Sequence, residues 1–308
     1  MNQDTLKLHP QGPDHPITMT RMPWVPGLFA KLVALSLIRP GDIHDGTPLG
    51  NAVVTFRNFT PEREKLEGFK SVCGYDPSKS TVPAPFIQTL FIGMVSRLIG
   101  SSYFPITPMG LIQVGQSFEL KHPLDPAMPL DLSCRTLDMT RTDRGIHTRI
   151  LMAAVPSGGI GGKEQEPAWL GTATYFTRAR HPGPKRKTRR EEVPLPVLET
   201  VRVAEDIGRR YAVVSRDYNP HHLYGWTAKF IGFKQPIAHG MWSLSRACAR
   251  LEKAFGYPET LSVDAAFKLP VFLPATITLG AGDNGGDTAF ELRDAHAGIP
   301  HLKGRFRF

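Results

Sequence analysis

Apolar positions along the chain recur with two periods, and the periods alternate. Residues 51–56 (Asn-Ala-Val-Val-Thr-Phe) alternate weakly and predict a strand, and the charged stretch 61–68 begins a helix. Residues 86–99 set Phe86, Leu90, Met94 and Leu98 on one face, the spacing of a buried apolar helix. A strand is predicted over 111–120, a break over 121–127, and a second strand over 130–137. The same order returns after an apolar run at 211–214: a loop around Pro220, a buried helix over 240–255, a strand over 261–267, a break over 268–275 and a strand over 276–279. Both breaks open with Lys-x-Pro, at 121–123 and 268–270. The shared order predicts two copies of one fold, because a repeated element sequence at similar spacing is the signature of a repeated supersecondary unit. Residues 23–37 are apolar and are expected to lie across the sheet as a helix or strand. The last strands are expected at 288–293 and 302–308, with Phe306 and Phe308 facing the core between Arg305 and Arg307.

The densest chemistry lies ahead of the second helix, in Ser215-Arg216-Asp217-Tyr218-Asn219-Pro220-His221-His222 and then Gly232-Phe233-Lys234-Gln235-Pro236-Ile237-Ala238-His239-Gly240-Met241. A continuous helix would point Asp217 and His222 roughly 140° apart. Pro220 forbids that helix and biases Asn219 toward an extended backbone, so the segment is a loop able to fold the carboxylate and imidazole onto one point. Such a pair could hold a water molecule and exchange its protons near neutral pH. Asp-x-Asn-Pro is also ordinary turn chemistry, in which the side chains hydrogen-bond their own backbone. Gly240 opens the second helix and leaves its amide free for a developing oxyanion, or is simply a close-packing glycine.

Asp217-Tyr-Asn219-Pro220-His-His222 resembles the Asp-x-Asn-Pro-x-His signature of the MaoC-like, (R)-specific enoyl-CoA hydratases, and residues 232–241 resemble the start of that family's central helix. The resemblance implies an α+β double hot-dog fold, in which each half is a long buried helix wrapped by an antiparallel sheet. It implies Asp217 and His222 as the catalytic pair, Gly240 as the amide that binds the thioester carbonyl, Asn219 as a loop-shaping group near substrate, and His239 as a brace for the helix start. Where the family has Gly before the aspartate this chain has Arg216, which has to take up a left-handed backbone that a side chain tolerates poorly, crowds the pocket mouth, or reaches a substrate phosphate. In the first copy, Cys73-Gly74-Tyr75-Asp76-Pro77 occupies the place of the loop, and no histidine stands five residues after Asp76. The expected divisions are a tail (1–22), a hot-dog-like domain without the motif (23–180), a basic proline-containing linker (181–196) and a MaoC-like domain (197–308).

Composition narrows the partners. The 308 residues carry a formal charge of +9, and five cations fall in His181-Pro-Gly-Pro-Lys-Arg-Lys-Thr-Arg-Arg190. That run reads as a solvated connector, a contact for coenzyme A or carrier phosphates, or a nucleic-acid patch; the last lacks interleaved aromatics, zinc spacing or an RNA-binding signature. No apolar run approaches a membrane span, and the polar first 22 residues contain no apolar signal core, so a cytoplasmic protein is expected. Cys73, Cys134 and Cys248 have no paired spacing and read as small buried hydrophobes of a reducing compartment. The remaining histidines do not cluster, so no metal and no cofactor are expected. The chemistry expected is hydration of trans-2-enoyl thioesters, or dehydration of (R)-3-hydroxyacyl thioesters, on coenzyme A or acyl carrier protein. The alternatives are a non-catalytic acyl-thioester binder or a hot-dog thioesterase, which would place its carboxylate on the central helix, where only Glu252 is found. Self-association as a homodimer is compatible with the sequence.

Overall fold

The structure is a computed structural model and describes residues 6–23, 25–158, 166–179 and 193–308. In the first half β1 (Leu6–Leu8), β2 (Gln11–Met19), α1 (Val25–Ile38) and β3 (Gly50–Phe59) lead into α2 (Arg63–Cys73), α3 (Ala84–Thr89) and α4 (Ile92–Ile99). The strands β4 (Ile112–Leu120), β5 (Leu130–Thr142), β6 (Gly145–Pro156) and β7 (Trp169–Arg178) complete it. The second half runs β8 (Val197–Val203), α5 (Ile207–Ser215), a 3-10 turn (Pro220–His222), α6 (Gly225–Phe230), α7 (Gly240–Phe255), β9 (Leu261–Phe267), β10 (Ala275–Asn284), β11 (Asp287–Asp294) and β12 (Pro300–Arg307).

All the strands join one sheet in the order β2-β3-β5-β6-β7-β4-β9-β12-β11-β10-β8, with β1 attached to β5. Read outward from the middle, the first half runs β4-β7-β6-β5-β3 and the second β9-β12-β11-β10-β8, so each half pairs its strands in the same internal order. The halves meet edge to edge, β4 antiparallel to β9 from Gly115↔Ala266 to Leu120↔Leu261. Each half exposes an unpaired edge strand at that point, and the pairing satisfies both within one chain. The result is the double hot-dog fold, with one buried core running through both halves.

The central helix of the second half, α7, buries Met241, Trp242, Leu244, Ala247, Cys248 and Leu251. It stops at Gly256, whose left-handed backbone (φ 91°) returns its N–H to Glu252 O at 3.0 Å. The corresponding apolar stretch in the first half is two helices rather than the one expected over 86–99. Leu90 and Phe91 bond three residues back, to Ile87 and Gln88, which tightens the turn between α3 and α4. All three cysteines are buried and free.

The sequence expectations need further corrections. Residues 6–8 and 11–19, assigned to a tail, are strands, and β2 pairs parallel with β3 at the sheet margin. Prolines disfavour a strand interior, but an edge strand tolerates them because one side of its backbone has no partner strand. Phe306 is buried, whereas Phe308 lies beyond β12, 62 % exposed, and stacks on Phe255. The basic run at 181–190 lies outside the described residues. No described helix is long and apolar enough to cross a membrane.

Candidate active site

Helix α5 ends at Arg216, which adopts the left-handed region (φ 63°) and donates its N–H to Ala212 O at 2.8 Å. This cap turns the chain out of the helix and into the loop carrying Asp217. Asp217 Oδ1 accepts from the Asn219 backbone at 3.2 Å and from its side-chain amide at 2.6 Å. The turn chemistry of Asp-x-Asn-Pro is therefore present, and it serves to hold the carboxylate while Oδ2 stays outside the turn. Pro220 begins the 3-10 turn that carries His222, which is buried.

Two backbone carbonyls fix the imidazoles. His222 Nδ1 lies 2.8 Å from Ile237 O, and His239 Nε2 lies 2.9 Å from Asp217 O. A carbonyl oxygen only accepts, so each facing nitrogen carries the proton, leaving His222 Nε2 and His239 Nδ1 with lone pairs. The rings stack with centroids 3.5 Å apart. One ligand atom from each of Asp217, His222 and His239 lies within 4.8 Å of the other two, so the loop does fold back on itself. Burial, then the neighbouring imidazoles, pull His222 well below the ordinary histidine range, although Asp217 opposes this. Burial lowers His239 to about 3. Both rings are neutral near pH 7.

A carboxylate and two imidazoles at this spacing form a donor set that the sequence did not group. The His239 nitrogen nearest the Asp217 carboxylate, Nε2 at 3.9 Å from Oδ2, is the protonated one and is already engaged by a carbonyl. With one lone pair left on each neutral ring, the carboxylate and the two imidazoles can exchange protons with a water.

The remaining candidates fall as follows. Asn219 shapes the loop. His239, expected to brace the helix start, makes no cap bond there; its ring instead tethers the Asp217 loop, donating from Nε2 to the Asp217 carbonyl. Gly240 is the first residue of α7, where the N–H has no intrahelical acceptor; a Cβ on it would sit 3.0 Å from the Phe267 ring, so close packing also demands glycine. The Arg216 guanidinium turns to Glu62 of the first half and forms an ion pair. His221 packs its ring against His222 and Phe233. Glu252 is buried beside Tyr75, whose hydroxyl donates to it at 3.4 Å, and burial raises the Glu252 carboxyl to about 8.

Sequence reasoning missed the residues that position this turn. A side chain on Gly208, in the first turn of α5, would overlap the carbonyl oxygen of His222, so helix and turn touch backbone to backbone. A glycine inside a helix is costly and was the available signal. Thr227 Oγ1 donates to Pro220 O at 2.6 Å, and Arg209 donates to Leu223 O at 3.0 Å. Tyr211 lies under His239, ring centroids 4.9 Å apart.

The chain is similar to known proteins. Residues 183–303 match the model of the MaoC like domain. A 3-hydroxyacyl-thioester dehydratase X of Mycobacterium tuberculosis is 27 % identical over 266 residues, spanning 84 % of this chain and 90 % of that protein. The crystal structure of the M. tuberculosis protein HtdX superposes with a TM-score of 0.70 at 24 % identity, covering 83 % of this chain and 99 % of that one. A MaoC-like dehydratase from Phytophthora capsici superposes with a TM-score of 0.65 at 20 % identity, covering 86 % of this chain and 98 % of its own. Residues 183–303 thus match the MaoC like domain, and the chain as a whole is similar in sequence and fold to MaoC-like dehydratases.

Proposed function

We propose that this chain is a hydro-lyase that dehydrates (R)-3-hydroxyacyl thioesters and, in reverse, hydrates trans-2-enoyl thioesters, with Asp217 and His222 as its acid–base pair. The observation that carries this reading is the convergence of the Asp217 carboxylate and the His222 ring within 4.8 Å, with His222 locked as the Nδ1–H tautomer by Ile237 O. One water fits between groups at that spacing and can hydrogen-bond to both.

In the hydration direction His222 Nε2 takes a proton as the water oxygen bonds to C3 of the enoyl chain, and Asp217 orients that water. The C2–C3 π electrons move to the thioester oxygen, which the Gly240 amide at the start of α7 receives. The protonated pair then returns a proton to C2. Burial bears on His222 in this cycle in two ways: it keeps the ring neutral at rest, with the Nε2 lone pair free to accept, and it makes the protonated form a ready donor. A mainly apolar groove lined by Pro23, Phe59, Phe86, Leu90 and Val214 adjoins Arg216 and offers a path for the acyl chain into the first half.

The test is the loss of enoyl absorbance on hydration of crotonyl-CoA and of a longer trans-2-enoyl-CoA. Asp217→Asn and His222→Gln should each lower kcat by about 10²–10⁴ while the protein stays folded. Wild-type turnover that survives either change would remove the pair from the chemistry, and a silent wild type would favour an acyl-thioester binder.

A further inference from the structure

The internal symmetry places a second concavity at the position that matches the apolar groove beside Arg216. The two loops leave their helices at equivalent caps, Gly74 (φ 79°) after α2 and Arg216 (φ 63°) after α5. Beside Arg216 the apolar groove is lined by Phe86, Leu90 and Gly93, the third, seventh and tenth residues counted from the start of α3. Beside Gly74 a cleft of about 670 Å³ is lined by Trp242, Arg246 and Ala249, the third, seventh and tenth residues of α7. The positions correspond, but the chemistry is reversed.

Five cations face this second cleft: Arg202, Arg210, Arg246, Arg250 and Lys253. Its one carboxylate, Glu199, is held by Arg246 at 2.5 Å. Among the described residues Arg202, Arg210, Arg250 and Lys253 have no ion pair, so about four positive charges stand unneutralised around one concavity. The Arg246 guanidinium reaches the cap, where a Cβ on Gly74 would lie 2.5 Å from its Nη1.

We infer that this cleft is a binding site for a ligand bearing a diphosphate, separate from the thioester turned over by Asp217 and His222. Like charges held together in one concavity repel one another unless an anion occupies it. Arginine forks match phosphate oxygens two at a time, and four of the five cations are arginine. The cleft is walled by β8, α5, α7 and the end of α2, and has the size of a small-ligand pocket rather than the flat extent of a docking patch. It shares no lining residue with Asp217, His222, His239 or Gly240 and lies against the loop that lacks the acid–base pair.

Calorimetric titration of the full chain with ADP, pyrophosphate and inorganic phosphate at matched ionic strength tests the assignment, comparing wild type with an Arg210→Ala/Arg250→Ala double variant. ADP and pyrophosphate should bind wild type more tightly than inorganic phosphate, and the double variant should bind them at least about tenfold more weakly with unchanged circular dichroism. Hydration of crotonyl-CoA and of its N-acetylcysteamine analogue should keep the same KM in both proteins. No diphosphate binding to wild type, equal binding to the variant, or tighter binding of a single-stranded oligonucleotide would each overturn the proposal. So would a KM that rises for crotonyl-CoA alone, because the cleft would then hold the substrate's own carrier.

Discussion

The two halves of this molecule share a sheet order and a pair of helix caps, yet they differ at the residues where chemistry is concentrated. In the second half the residue after the cap is Asp217, and the next turn delivers His222 to it. In the first half the residue after Gly74 is Tyr75, which is buried and donates to Glu252 from the central helix of the other half. Asp76, the nearest carboxylate, is half-buried and caps its own turn through Ser78. The scaffold that positions a loop is therefore not what makes it a site. A carboxylate at the first position after the cap, a proline that forces the turn, and an imidazole with its tautomer fixed make the difference. The grooves beside the two loops differ in the same way, one apolar and one cationic at matching positions.

The contrast extends to Gly208. Eight residues before its cap the second half has Gly208, and eight before its own cap the first half has the buried Leu66. Only the second half brings a turn against that position. Gly208→Ala should lower kcat/KM about 100-fold and destabilise the chain by about 2–4 kcal/mol, because the added carbon displaces His222 or opens the helix. Steady-state kinetics with a denaturant melt checks this, and a variant with normal kinetics would show that the turn does not depend on the contact.

Acid is expected to separate the halves next. Burial depresses His222 and His239 in the folded chain, whereas the unfolded chain titrates them near 6.5. Below that pH the unfolded state binds more protons, so stability falls as pH drops from about 6.5 toward the folded value of about 3 for His239. A His222→Gln/His239→Gln variant should lose much of this slope in denaturant midpoints measured from pH 7 to pH 5, and an unchanged slope would place the acid sensitivity elsewhere.

Glu252 gives the opposite sign on the vestigial side. Its folded carboxyl holds a proton up to about 8, while an unfolded glutamate releases it near 4.5, so stability falls as pH rises through that interval. Glu252→Gln should remove this dependence, so its stability relative to the wild type should rise by on the order of a few kcal/mol between pH 5 and pH 8, at about 1.4 kcal/mol per pH unit. Thermal melts across the interval test it, and a difference independent of pH would contradict it.

The smallest effect is expected at Arg216. Arg216→Gly relieves a left-handed backbone by roughly 1 kcal/mol and forfeits a half-exposed ion pair with Glu62 worth at most about that much, so stability should move by less than about 1 kcal/mol. With the guanidinium turned to Glu62, kcat should change less than about threefold. A tenfold fall would bring the guanidinium into the reaction.

Much of this organisation is legible in the chain alone. Period-3.6 apolar spacing marks α7, the Lys-x-Pro breaks mark the repeat, and Pro220 forces the loop, because each follows from local backbone sterics and side-chain spacing. Asp217 and His222 stand out because a carboxylate and an imidazole five residues apart can meet only across such a turn. The packing of α5 onto the His222 turn at Gly208, the tether from His239 to the Asp217 carbonyl, and the turning of Arg216 to Glu62 depend on residues distant in sequence meeting in space. So does the gathering of Arg202, Arg210, Arg246, Arg250 and Lys253, which come from a strand and two helices and look like scattered surface charges until those elements enclose one cleft. Local order fixes which elements form and where the chain must turn; the packing of β8, α5 and α7 on one another, and of the first half against them, decides which side chains share a pocket, since residues far apart in sequence become neighbours only in the folded chain.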